Sequence, residues 1–212
     1  MQSNPCSLAR FEAEKIHHLE QALNFVQEEA LHELALALLS FQESNLISQE
    51  EIEDILDQDA PDVLLLAFSW RMIIPEPQKR ASMAWEEALA DTRSSTRWKM
   101  PLIVKHLVQA GCSTGSWQPK LCLPQVCATL EHPQEKIISF ISFVGQYAPG
   151  FVISGNALSA ALREARIPAD LENLIIECKA AGILSPKLSS FPDTGRQASP
   201  LYEINPCVFC PS

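Results

Sequence analysis

Along residues 133–206 the apolar positions recur with helical, extended and again helical spacing. Pro133 suits a first helical position, where its missing N–H costs nothing. Ile137, Ile141 and Val144 follow four and three residues apart, and Ile138, Phe140 and Phe143 widen the face enough to imply burial on most sides. Ala148-Pro149-Gly150 ends this helix. Phe151-Val152-Ile153 predicts a short strand, and Ser154 a cap for the next helix. There Leu158, Ala161, Leu162 and Ala165 fit the i, i+3, i+4, i+7 template. Ile167-Pro168 makes a turn. Leu171, Leu174, Ile175 and Cys178 mark a third helix with Gly182 as its stop. Ile183-Leu184 and Leu201–Ile204 predict two strands, joined through a Ser-, Pro- and Gly-rich loop over 189–200.

An earlier stretch echoes this order. Leu31, Leu34 and Leu38 mark a first helix, and Leu46-Ile47 a short strand matching Val152-Ile153. Ser48 matches Ser154, and Glu51 completes a capping box. Ile52, Ile55 and Leu56 form one buried face, Ala60-Pro61 makes the turn, and Val63, Leu66, Ala67 and Trp70 carry a third helix. Ile73-Ile74 match Ile183-Leu184. No glycine precedes Ile73, Pro75 and Pro77 follow at once, and residues 82–90 predict helix where a return strand would stand. Ahead of this repeat, Ile16, Leu19, Leu23, Val26 and Ala30 form a short heptad seam on a helix over about 8–30. The seam predicts packing within the chain, or a homodimer through the N-terminal helix. Residues 91–97 read as a polar turn, Trp98–Ala110 as a helix stopped by Gly111, 112–120 as a loop and 124–131 as a short helix.

The order helix, strand, helix, turn, helix, hairpin resembles the winged-helix superfamily. The third helix running through Ala180-Ala181-Gly182-Ile183-Leu184 into a strand carries most of the likeness. The resemblance implies a mainly α fold with small β-hairpin wings: tandem winged-helix-like domains preceded by an N-terminal helix. Its divisions are an arm and helix at 1–30, a first domain with a degenerate wing at 31–90, a helical linker at 91–130, a second domain at 131–206 and a tail at 207–212. In that superfamily the third helix lies in the DNA major groove and reads bases. Here its exposed positions include Asp170, Glu172, Asn173, Glu177 and Lys179, a poor face for phosphate. The earlier copy offers Asp62, Leu64, Leu65, Ser69 and Arg71.

Charge sharpens this picture. The chain carries a net −10, which disfavours binding driven by phosphate neutralisation. Residues 1–70 hold 14 acidic and 2 basic side chains, whereas 71–105 hold 7 basic and 4 acidic. The favoured reading is a non-enzymatic adaptor or regulator that binds a protein partner through Leu64, Leu65, Asp170, Glu172, Asn173 and Glu177. The alternative is a DNA-binding transcriptional regulator using Arg71, Lys79, Arg80, Arg93, Arg97, Lys99 and, in the second wing, Arg196. Lys105 ends the same basic segment.

A third reading, a metal- or thiol-dependent sensor, rests on cysteines alone. Cys122 and Cys127 form one half-site, Cys207 and Cys210 another; together they could hold zinc. The seven cysteines are read as free thiols, with Cys178 in the core, and no cofactor is expected. His32-Glu33 lacks the second histidine of a zinc-protease helix. The acids from Glu50 to Asp59 lack the glycine and spacing of a calcium loop. No apolar run approaches the length of a membrane span. Met1–Pro5 lacks a basic-then-apolar signal pattern, so the expected compartment is the cytoplasm.

Overall fold

The computed structural model describes residues 13–42, 44–76, 85, 97–187 and 199–209. It is mainly helical with two small antiparallel sheets of three strands each. Helix α1 (Ala13–Ala22) leads to α2 (Leu31–Ser40), β1 (Leu46–Ser48), α3 (Gln49–Leu56), α4 (Ala60–Ser69), β2 (Ile74–Pro75) and β3 (Arg97–Lys99). Two connecting helices follow, α5 (Leu102–Thr114) and α6 (Pro119–Val126). The second set is α7 (Gln134–Tyr147), β4 (Val152–Ser154), α8 (Gly155–Glu164), α9 (Leu171–Ala181), β5 (Leu184–Pro186) and β6 (Leu201–Ile204).

From α2 to β3 and from α7 to β6 the element order is the same. So is the strand order: the last strand of each set lies between the other two, pairing antiparallel with both. The local causes also repeat. Ser48 and Ser154 each take extended backbone, and each side chain accepts the N–H three residues on. In the first unit Glu51 returns the bond to the Ser48 N–H, closing the capping box.

Several expected boundaries move. Trp98 belongs to strand β3 rather than to a helix, because it and Met100 are buried while Arg97 and Lys99 stay exposed. That alternation is a strand pattern. β3 pairs with β2 as well as with β1. The strand completing the first sheet therefore lies beyond residue 90, in the stretch read as linker. The helix expected at 82–90 falls outside the described residues, apart from Trp85.

Gly111 does not stop α5, which runs on to Thr114 and is capped by Gly115 at φ +67°. Gly111 instead lets α1 cross closely: an added Cβ would stand 3.1 Å from Ala22 Cβ and 3.2 Å from Leu19 Cδ1. Leu19, Leu23 and Val26 of the heptad seam are buried within the chain's own core. These seam residues therefore pack within the chain, the first of the two readings of the seam.

The C-terminal stretch departs furthest from expectation. Asn205, Cys207, Val208 and Phe209 are all buried. The buried residues of both units, the connecting helices and this stretch form one continuous hydrophobic core. Among the described residues no helix is long and apolar enough to cross a membrane.

Candidate functional site

The two units meet at equivalent corners. At the end of α4, Arg71 takes a left-handed conformation at φ +52°, and the Met72 N–H bonds back to the Ala67 carbonyl at 2.8 Å. At the end of α9, Gly182 sits at φ +73°, and the Ile183 N–H bonds to the Cys178 carbonyl at 2.8 Å. Arg71 therefore stands where the second unit has glycine. The Asn205 Nδ2 amide donates to both corner carbonyls, Arg71 O and Gly182 O, at 3.0 Å each. Its Oδ1 accepts the Cys207 N–H at 3.2 Å and the Cys207 thiol at 2.9 Å. A buried amide with both ends satisfied contributes stability, whereas removing it would leave both corner carbonyls without this donor.

Arg71 was expected to face DNA. Its guanidinium instead pairs with Glu203 on β6, with Nε 2.7 Å from Oε1, and donates to the Phe68 carbonyl at 2.7 Å. It stacks on the Phe68 ring at 4.1 Å. The two side chains are 12% and 10% exposed, so Arg71 is a tie between the units and not a solvent-facing cation.

Matching the two corners puts α4 and α9 in register. Leu65 then corresponds to Ile176, Asp62 to Asn173, and Leu64 to Ile175. Leu65 is 60% exposed and Ile176 58% exposed. Each unit thus presents one large aliphatic side chain at the same point of its third helix. Leu64, expected beside Leu65 on the surface, is buried. Ala60, Val63, Leu64, Ala67 and Phe68 form the inward stripe of α4, and their spacing carried that signal. Ile176 was missed because Leu174, Ile175 and Ile176 form an apolar run in which periodicity alone did not pick out the outward residue.

Around Leu65 an open groove of about 380 Å³ is lined by Glu28, Ala30, Asp62, Leu65, Leu66 and Ser69. Among the described residues its lining has two carboxylates and no cation. On α9, Glu172 and Asn173 are exposed near Ile176. Asp170 caps the helix, accepting the Glu172 N–H at 3.1 Å. Glu177 is half-buried and accepts the Thr129 N–H at 2.9 Å, which makes it a tie to the connecting segment.

Of the other expected cations, Arg97 and Lys99 are exposed on β3, and Lys105 donates to the Asn45 side chain at 2.7 Å. Lys79, Arg80, Arg93 and Arg196 lie outside the described residues. So does Cys210. Of the thiols named in the third reading, Cys127 faces Cys178, Sγ to Sγ 3.8 Å, and Cys207 bonds the Asn205 side chain. Among the described residues no group of three or more His, Cys, Asp or Glu is placed to hold a metal ion. Burial pushes the Cys122 thiol up to about 11, which is the signature of an inert core thiol.

A protein-family model matches residues 17–210, so the chain belongs to that family, and the match carries no statement of function. No curated protein and no solved structure matches the chain.

Proposed function

We propose that the chain is a non-enzymatic adaptor or regulatory protein built of two winged-helix units, and that it docks a protein partner on the exposed faces of α4 and α9. The twofold repetition of helix, strand, helix, helix, strand, strand, with the last strand central, supports the fold reading. The observation that carries the function is the equivalent exposure of Leu65 and Ile176. Exposed aliphatic side chains scattered singly are ordinary on a protein surface; it is their recurrence at the same helix position in both units that favours an apolar contact with another molecule. The carboxylates Glu28, Asp62 and Glu172 nearby favour a partner whose apolar anchor is flanked by Lys or Arg. An amphipathic basic helix laid into the groove fits both demands.

DNA binding is the second reading. Arg97 and Lys99, exposed together on the strand of the first hairpin, favour it. Its reach is reduced by the withdrawal of Arg71 into the Glu203 pair and by the acids on the third helices.

Fluorescence anisotropy against random-sequence duplex DNA, at roughly 50 and 200 mM salt, separates the two, since phosphate-driven affinity falls steeply over that range. The adaptor reading predicts no binding at the lower salt. Binding that weakens sharply with salt, and is lost in Arg97→Glu/Lys99→Glu but retained in Leu65→Ser/Ile176→Ser, would overturn it.

A further inference from the structure

Away from the α4 groove, the two units enclose a cleft of about 510 Å³, well inside the range of small-molecule sites. One wall comes from β2, β3 and the start of α5, the other from the end of α9 and β5. Its apolar lining includes Ile74, Trp85, Met100, Leu102 and Leu184. Among the described residues three lysines, Lys99, Lys105 and Lys179, line it against a single carboxylate, Glu76.

That charge is out of keeping with a chain of net −10. Among the described residues no carboxylate lies within ion-pairing distance of any of the three. Lys105 is positioned by the Asn45 side chain at 2.7 Å, and Lys179 sits 5.5 Å from the centre of the Tyr202 ring. Three like charges around one concave, partly apolar surface repel one another and focus a positive potential into it. An anion relieves that repulsion, and an apolar body uses the remaining walls.

We propose that this cleft binds an amphipathic small-molecule anion: an organic acid whose carboxylate or sulfonate is held by Lys99, Lys105 and Lys179 while its flat apolar body packs against Trp85, Met100 and Leu102. Because the walls belong to both units, the ligand adds a tie between them beyond Asn205 and the Arg71–Glu203 pair, and it stabilises the joined state. The site stands independently of the adaptor reading, which concerns a different face.

The test is a fluorescence titration of the full chain with 1-anilinonaphthalene-8-sulfonate, alongside its neutral analogue N-phenyl-1-naphthylamine. Saturable one-to-one binding of the sulfonate is expected, with the neutral analogue at least ~10-fold weaker, because hydrogen bonds to charged groups are stronger than those between neutral groups. Lys99→Gln/Lys179→Gln should weaken the sulfonate ~10-fold or more, on the same basis. Lys120→Gln, on an exposed lysine outside the cleft, and Leu65→Ser should leave it unchanged. Should the double variant melt early, Lys179→Gln alone carries the same comparison. Absence of saturable binding, equal affinity for the neutral analogue, indifference to the lysine substitutions, or loss of binding in Leu65→Ser would each overturn the proposal.

Discussion

Replacing Glu203 by Gln tests how the two units are held together. The substitution keeps the side chain's shape and removes its charge. Arg71 cannot escape to water: it is 12% exposed, stacked on Phe68 and anchored to the Phe68 carbonyl. Its positive charge would stay buried without its counter-ion. Breaking a buried pair from one side costs about 3–5 kcal/mol. For a chain of 212 residues, where each kcal/mol moves the midpoint by about 2–4 °C, the melting temperature should fall by roughly 6–20 °C. The reverse substitution, Arg71→Met, removes the ion pair together with the hydrogen bond to the Phe68 carbonyl and should also destabilise the fold. Removing both partners in Arg71→Met/Glu203→Met replaces the pair with apolar volume and should cost no more than about 2 kcal/mol, because the desolvation penalty of the pair offsets most of its attraction. Urea unfolding followed by circular dichroism at 222 nm, with tryptophan fluorescence to verify a single transition, gives the cycle. A coupling energy of about 3 kcal/mol or more is expected for such a contacting pair. Single variants that each cost under about 1 kcal/mol, the range of an exposed pair, with additive effects in the double variant, would refute the claim that this pair is buried and joins the units.

Three further outcomes follow from the same geometry. Gly182→Ala forces a side chain into left-handed backbone at about 1–2 kcal/mol. Its Cβ would also stand 2.5 Å from Pro101 Cβ, an overpacking of about 1–3 kcal/mol, so thermal melts should show a loss of about 2–5 kcal/mol in all; a change within about 0.5 kcal/mol, typical of a surface site, would contradict this packing. Ser48→Ala removes the cap of α3 and should cost about 1 kcal/mol in urea unfolding, whereas an unchanged midpoint would deny the capping box. Alkaline pH should also destabilise the fold. Burial raises the Cys122 thiol from 9.0 to about 11; the hydrogen bond with Cys127, then burial, raises Cys178 well above its ordinary value; burial raises Tyr202. Each folded group holds its proton more tightly than the unfolded chain does, so its contribution is complete below the unfolded thiol value and is lost as pH rises through the folded one. The urea midpoint should decline between pH 9 and about 11, less steeply in Cys122→Ala, and a flat midpoint over that window would refute the assignment.

Much of the architecture was legible because its causes are local. Ser48 and Ser154 cap helices whichever way the rest of the chain folds. The apolar spacings in α2, α3, α8 and α9 place those helices without tertiary information. Where position depends on distant partners, legibility fails. Strand β3 is three residues long, and its identity comes from pairing with β1 and β2 across intervening chain. Arg71 takes a corner that pattern reasoning reserves for glycine, and its charge is satisfied 132 residues away by Glu203. Asn205–Phe209 lacks periodicity because it is irregular backbone fixed by single hydrogen bonds, such as that from the Trp117 indole to the Cys207 carbonyl at 2.7 Å. The candidate surface was half legible. Leu65 follows from the apolar run on α4, but Leu64 was misplaced because a continuous run fits two phases of the same helix. Ile176 emerges only when the corners Arg71 and Gly182 set the two units in register.

On the proposed function, the third helices present Leu65 and Ile176 to a basic, amphipathic protein segment. A random peptide library selected on the immobilised full chain, with counter-selection on Leu65→Ser/Ile176→Ser, tests it most directly. Both positions are exposed, so the double variant should keep its melting temperature within a degree or two, as surface changes of about ±0.5 kcal/mol do. A consensus with Lys or Arg flanking apolar residues at helical spacing is expected. Those peptides should bind the variant at least ~10-fold more weakly, the loss of about 1.4 kcal/mol that burying even part of one aliphatic anchor represents. Peptides without basic residues, or a consensus that binds the double variant as tightly as the native chain, would contradict it.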